Sequence, residues 1–300
     1  MAKRSIFYKI RRMGQVLAYD LMSPEFMSKL YFRHVLGKSL DLKNPKSFNE
    51  KLQWLKLYYW PENPKAVQCA DKYAVRSYIK EMGKEEILNE LLFAWDSVDE
   101  ICWEELPEQF VLKCNHGCGY NILCPDKSKL DEKTVKRQLR KWMRENFYKF
   151  NEEPHYGRIP KKIICEKYLG DNVINYNIYC FNGKPTFFSL AGGLGNGVGE
   201  HLTYYNVDGT KADFRNGGYP AGDNVLSPLL PQMVEMAQYL SQGFPMVRVD
   251  LFDVNGRIIL SEMTFTPGGA LIPFEPDAAD CMLGEKLDIS QQMKEKAGIR

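Results

Sequence analysis

The segment that most constrains this chain runs from Arg248-Val249-Asp250 to Glu262-Met263-Thr264, with Val254-Asn255-Gly256 between the two ends. Val247 to Phe252 alternates apolar with polar or aromatic positions, the two-residue period of a strand, and a second such run carries Glu262. Asn-Gly between two alternating runs is a strong hairpin signal, so the segment is expected to form two antiparallel strands. Loop length then decides the chemistry, because a slip of one residue moves a side chain to the opposite face of the sheet. A two-residue Asn255-Gly256 loop would pair Asp250 with Ser261 and turn Glu262 away. A three-residue loop, Val254-Asn255-Gly256 with Gly256 left-handed in a bulge, instead puts Asp250, Leu260, Glu262 and Thr264 on one face. The sequence therefore predicts the three-residue loop, with Asp250 and Glu262 as diagonal neighbours roughly 7–8 Å apart at the backbone. Two carboxylates so placed, beside a hydroxyl and Arg248, can hold metal ions against a polyphosphate. The plain alternative is an exposed acidic hairpin, against which Arg248, Thr264 and Pro267-Gly268 weigh together.

Composition narrows the surroundings of this hairpin. With 40 basic and 38 acidic residues the formal charge is only +2, which gives no bulk electrostatic case for nucleic acid. No apolar run approaches the ~18 residues needed to cross a bilayer, and the basic N-terminus lacks the apolar core and cleavage site of a secretory signal. Eight cysteines scattered over 300 residues do not make a disulfide framework, so reduced thiols in the cytoplasm are expected.

Along the chain, residues 1–67 read as helical. Ile6, Ile10, Met13, Val16 and Leu17 recur at helical spacing beside Lys3, Arg4, Lys9, Arg11 and Arg12, a basic amphipathic start suited to an anionic membrane surface or to packing on its own protein. Ser23-Pro24 opens a second helix, and Ser47-Phe48-Asn49-Glu50 is a capping box. Residues 71–85 read as one helix ending at Gly83. Gln109 to Cys114 is a short strand that carries Lys113 at its end and opens into a loop with Gly117 and Gly119, where backbone N–H groups can approach anions. A basic helix follows over 130–149, then a strand at Lys162 to Gly170 and a hairpin around Asn182-Gly183. The glycine-rich run 191–199 lacks an intact G-x-G-x-x-G and is expected to be a mobile loop rather than part of a dinucleotide fold. Pro231 to Gln242 reads as a helix leading into the Arg248 strand.

Taken in order, Lys72, Lys113, Glu166-Lys167-Tyr168-Leu169, Arg248-x-Asp250 and Glu262-x-Thr264-x-x-Pro267-Gly268 resemble the ATP-grasp superfamily over residues 68–275. Within it, Lys46-Ser47-Phe48-Asn49-Glu50-Lys51, Asp71-Lys72-Tyr73, Lys113-Cys114-Asn115-His116-Gly117 and Cys180-Phe181-Asn182-Gly183-Lys184-Pro185 resemble the TupA-like branch, associated with teichuronopeptide and other bacterial surface polysaccharides. The resemblance implies an α+β ATP-grasp fold, two α+β lobes clasping a nucleotide after a helical N-terminal region. It divides the chain into 1–67, a small lobe over 68–170 and a large lobe over 171–300. It also implies roles: Lys72 and Lys113 on the ATP phosphates, Gly117 and Gly119 in the loop over them, Glu166, Lys167 and Leu169 around the base, and Asn175 on the ribose. Asp250, Glu262 and Thr264 would hold Mg2+, and Arg248 with Lys113 would neutralise the transferring phosphoryl group.

Two positions depart from the pattern. Thr264 stands where the superfamily usually has asparagine, and Asn175-Tyr176-Asn177 stands where the branch reads Asp-Tyr-Lys. The implied reaction is ATP- and Mg2+-dependent ligation of an amine or amino acid to a carboxylate through an acyl phosphate. The implied acceptor is a carboxylate-bearing sugar or polysaccharide such as a uronic acid, met in peripheral contact with membrane-linked glycan machinery at the inner face of the membrane. A glycosyltransferase of the same pathway and a non-catalytic nucleotide-binding module are the alternatives; the first lacks an Asp-x-Asp metal motif here.

Overall fold

A computed structural model of the protein describes residues 6–170, 173–192 and 200–298, with side chains from residue 12 onward. The chain begins with α1 (Ile6–Leu21) and α2 (Pro24–Leu36), the second capped by Ser23, whose hydroxyl accepts from the Phe26 N–H, and closed by left-handed Gly37. The expected capping box is formed at α3 (Phe48–Trp54), Ser47 and Glu50 each taking the other's backbone N–H. A π-helical turn over Leu55–Tyr59 follows and buries Lys56. α4 (Pro64–Ala70) comes next, and then the single helix expected over 71–85 proves shorter. Asp71 is extended, and its carboxylate accepts from the Tyr73 N–H at 2.8 Å and from Asn115 at 2.8 Å, so residues 71–74 form a turn and α5 spans only Val75–Glu81.

A four-stranded sheet in the order β1-β4-β2-β3 joins β1 (Leu91–Trp95), β2 (Phe110–Cys114), β3 (Asn121–Cys124) and β4 (Ile163–Lys167). Against it lies α6 (Glu132–Arg144), which buries Val135, Leu139 and Trp142 and turns its charged residues outward. The second sheet is antiparallel, in the order β10-β9-β5-β6-β7, built from β5 (Ile174–Phe181), β6 (Lys184–Gly192), β7 (His201–Asn206), β9 (Met246–Val254) and β10 (Arg257–Thr264). α7 (Leu230–Leu240) packs through Met233, Ala237 and Leu240 on the face that carries Cys180 and Val247, leaving the Arg248 and Asp250 face turned the other way. A two-stranded ribbon, β8 (Arg215–Asn216) with β11 (Phe274–Glu275), precedes α8 (Ala278–Lys286) and α9 (Ser290–Lys296).

Buried side chains fall into two clusters. One joins α3, α4 and α5 to the five-stranded sheet; the other fills the space between α6 and the four-stranded sheet. Helix α8 sits so close to α3 that a Cβ on Gly284 would meet the Lys46 carbonyl at 2.1 Å, and Asp280 holds the Asn49 backbone and side-chain N–H groups at 2.9 and 3.0 Å. All eight cysteines are free. Of the glycine-rich run expected to be a mobile loop, Ala191 and Gly192 end β6 and residues 193–199 lie outside the described residues.

Candidate active site

The hairpin forms, but by a different route from the one predicted. Asn255 (φ 52°) and Gly256 (φ 79°) make a two-residue turn, Arg257 pairs with Val254, and the register holds to Leu260 opposite Leu251. A bulge at Ser261 then shifts β10 by one, so that Glu262 pairs with Asp250 and Thr264 with Arg248. Positive φ at both central residues gives the turn a twist that matches the strands, and the three-residue loop loses to it. Parity is restored downstream. Asp250 and Glu262 are therefore direct cross-strand neighbours rather than diagonal ones, and the expected common face of the two acids and Thr264 is present. Leu260, opposite Leu251, lies on the other face, contrary to expectation.

Each carboxylate is held by its own cation. Arg248 grips the fully buried Asp250 with two bonds, Nε to Oδ1 at 2.7 Å and Nη2 to Oδ2 at 2.6 Å. Lys72 reaches across from the turn before α5 to Glu262 at 2.8 Å and donates to the Gly117 carbonyl at 3.1 Å. Thr264 bridges the halves, accepting from Arg248 at 3.2 Å and donating to Glu262 at 3.2 Å. The Lys72 ammonium beside Glu262 holds that carboxyl down at about 2. Burial pushes Asp250 up to about 7 against the pull of Arg248, while the bidentate contact is the geometry of an ionised carboxylate. Burial also opposes the charge on Lys72, yet Glu262 and its neighbours outweigh it and raise the ammonium pKa. Two carboxylates and a hydroxyl form an all-oxygen donor set, the kind Mg2+ takes when phosphate and water complete its shell. Among the described residues no group of three His, Cys, Asp or Glu is placed to hold a metal ion.

The glycine loop closes over this cluster. Gly117 has no room for a side chain, since a Cβ would meet the rings of Phe147 at 2.8 Å and Tyr120 at 2.9 Å, and Gly119 is left-handed at φ 71°. Lys113 stands on β2 at 2.6 Å from Glu166, which Arg76 also approaches at 3.4 Å. Glu166 is thus engaged by two cations. The Lys167 backbone is engaged as well, its N–H donating to the Glu90 carbonyl and its carbonyl accepting from Asn89. Beyond it, a cavity of about 380 Å³ opens between Lys167, Tyr168 and Leu169 on one side and Val254, Arg257 and Ile259 on the other. Ile259 pairs with Phe252, two residues from Asp250, so this cavity continues the acidic face toward the hairpin turn. Asn175 pairs with Phe252 and Asn177 with Asp250 on that face, and neither side-chain carbonyl oxygen has a hydrogen-bond partner among the described residues.

Sequence reading missed several neighbours. Arg76 lies one turn after Lys72, where it reads as an ordinary solvated helix charge; only its bond to the Asn89 carbonyl at 2.7 Å and its contact with Glu166 reveal the role. Tyr179 pairs with Arg248 across β5 and β9 and places its ring 5.9 Å from the guanidinium; the two-residue period from Asn177 was the available signal. Tyr156 feels the same charges, for burial raises its pKa and Glu153 and Glu262 add to it. Nothing in the sequence around Tyr156 marks it.

A family model described as TupA-like ATPgrasp matches residues 50–288. Among solved structures, D-alanine–D-alanine ligase from Bacillus anthracis, complexed with ATP, is similar at 13% identity and TM-score 0.46, covering 78% of this chain and 69% of that one. The corresponding Helicobacter pylori enzyme is similar at 14% identity and TM-score 0.44, covering 82% and 70%. L-amino acid ligase from Bacillus licheniformis is similar at 15% and TM-score 0.41, covering 68% of this chain and 42% of its own. No curated protein sequence matches the chain.

Proposed function

The chain belongs to the TupA-like ATP-grasp family, and on that premise we propose that it is an ATP- and Mg2+-dependent ligase joining an amine or amino acid to a carboxylate. The observation that carries the reading is the opposed pair Asp250 and Glu262, each neutralised by a cation that a polyphosphate can take over. Asp250 and Glu262, with the Thr264 hydroxyl, would hold Mg2+, which when bound neutralises the phosphate oxygens. Lys72 and Arg248 would turn from the carboxylates to the phosphates, and Lys113 would do so by leaving Glu166. Gly117 and Gly119 would let the loop backbone approach the same oxygens. The base would occupy the cavity beside Leu169, the Lys167 carbonyl sharing its second lone pair, while Asn175 would accept from a ribose hydroxyl. The substrate carboxylate then attacks the γ-phosphorus, ADP leaves, and the amine opens the acyl phosphate to give an amide and phosphate. The protein's part is to position and neutralise.

The acceptor we propose is a uronic acid of a surface glycan, handled in the cytoplasm at the inner face of the membrane, as the family's association suggests. The test is an ADP-release screen of uronic acids and oligosaccharides crossed with amines, read by mass spectrometry for an amide. Asp250→Asn and Glu262→Gln should each lower turnover by about 10²–10³. Turnover unchanged in both variants, or no ATP binding by the purified protein with Mg2+, refutes the reading.

A further inference from the structure

Helix α1 has a fixed side and an open side. On the fixed side Gln15 donates to the Phe150 carbonyl at 2.6 Å, the Arg12 guanidinium lies 3.6 Å from the Phe150 ring centre, and Tyr19 meets Tyr148 edge-on at 5.5 Å. On the open side Met13, Leu17 and Leu21 follow one another a helical turn apart, 72%, 61% and 73% exposed. The corner adds exposed Met22, and α2 continues the pattern with Phe26 and Leu30, while its Met27 and Phe32 are buried in the protein. Single exposed apolar residues need no explanation, but six exposed apolar residues at helical spacing along two consecutive helices are a series of the kind that marks an interaction surface.

Charge chooses the occupant. The first 36 residues hold seven Lys or Arg against two Asp or Glu, leaving 33 basic and 36 acidic residues in the rest of the chain. The basic start of this near-neutral chain is thus the segment that exposes the apolar series, whereas the other basic stretch, α6, buries its apolar residues Val135, Leu139 and Trp142. A second copy would bring like charge against like charge; an anionic bilayer attracts the basic residues and accepts the apolar ones. We propose that the open face of the α1–α2 hairpin docks the protein on an anionic lipid bilayer, lying in the interface rather than crossing it. Among the described residues no helix is long and apolar enough to cross a membrane.

Docking of this kind is independent of the ligase reaction, so either property can fail without the other. The test uses the full chain with vesicles of phosphatidylcholine alone or with about one third phosphatidylglycerol, followed by flotation. Binding to the anionic vesicles, weakened by salt and absent from the neutral ones, is expected. Leu17→Glu with Leu21→Glu should reduce partitioning on the order of 100-fold, with an unchanged thermal melt showing that the fold is intact. Leu17→Trp, on the same open face, supplies a second readout, since its emission should shift to the blue only with anionic vesicles. The proposal is overturned if the chain ignores anionic vesicles, if the double variant binds them as before, or if the Leu17→Trp emission does not move. Self-association lost in the double variant, without vesicle binding, overturns it too and assigns the face to a second copy.

Discussion

His155 and Glu152 give this protein a pH response whose sign differs between the two residues. Both side chains are fully buried, in the segment that leads into the Pro154–Arg158 turn, and neither the ring nitrogens nor the carboxylate oxygens have a partner among the described residues. Burial, and then the Lys56 ammonium, push His155 down from 6.5 to about 3. The folded state therefore holds the ring neutral: that stability is complete above pH 6.5 and is lost as pH falls toward 3. Burial acts oppositely on the Glu152 carboxyl, raising it from 4.5 to about 7 against the pull of Lys56. Its stabilisation is complete below pH 4.5 and is lost as pH rises through 7. At about 1.4 kcal/mol per pH unit, each group is worth about 3 kcal/mol between pH 7 and 4.5, with opposite sign.

The wild-type contributions then nearly cancel over that interval, and only the variants expose them. His155→Phe keeps a ring against Tyr156, whose centre lies 4.3 Å away, and removes the titration. Urea unfolding followed by tryptophan fluorescence should show His155→Phe gaining about 3 kcal/mol relative to wild type from pH 7 to 4.5. Glu152→Gln should lose a similar amount over the same range. A constant offset for His155→Phe across the interval would refute the reasoning, because a ring that titrates normally in the folded protein contributes no slope.

Two further pairs of substitutions probe the candidate site. Gly117→Ala forces a methyl into the Phe147 and Tyr120 rings and should cost about 1–3 kcal/mol in a thermal or urea melt, whereas Gly119→Ala meets no atom within 4 Å and should cost only the left-handed backbone penalty, about 1–2 kcal/mol. Lys72→Met and Glu262→Gln should each destabilise, yet their double variant should be more stable than the sum predicts by about 0.5–3 kcal/mol in a double-mutant cycle, because it removes both halves of one half-buried pair. ATP binding, measured by calorimetry, should not recover in that double variant.

What could be read from the chain and what could not divide by range. The capping box at Ser47, the Ser23-Pro24 start and the Asn182-Gly183 turn are local chemistry, and each forms as its residues dictate. Asp71 shows the limit: its side chain takes a neighbouring N–H, but the contact that completes the break is Asn115, 44 residues away. The Ser261 bulge shows a second limit. Alternation put Asp250, Glu262 and Thr264 on one face, as they are, but also Leu260, which is not; where the extra residue sits depends on turn twist against strand continuity, which periodicity does not encode. β7 was not anticipated because its Tyr204 and Tyr205 are both buried, so the strand presents no clean alternation. Arg76 and Tyr156 enter the site only through folding, and their sequence neighbourhoods are ordinary.

The departures from the family pattern and the charge pairing bear on one another. Asp250 and Glu262 are balanced by Arg248 and Lys72, with Arg248 also 3.6 Å from Glu262, so the cluster is close to neutral as it stands. A cation arriving alone would have to take carboxylates from both partners and leave two buried positive charges exposed to each other, a cost of several kcal/mol per ion. A polyphosphate arriving alone would strand the carboxylates in the same way. Together they exchange partners without leaving a charge unpaired, so metal and nucleotide should each favour the other's binding. Thr264 fits this economy of charge: a hydroxyl both accepts from Arg248 and donates to Glu262, whereas an asparagine there would bridge them only with both ends of its amide aligned. The same logic applies to Asn177, which faces Asp250 across the sheet in place of lysine. A third cation beside Asp250 would compete with Arg248, and its replacement by a neutral amide leaves the Arg248 and Asp250 pair intact until a ligand displaces it.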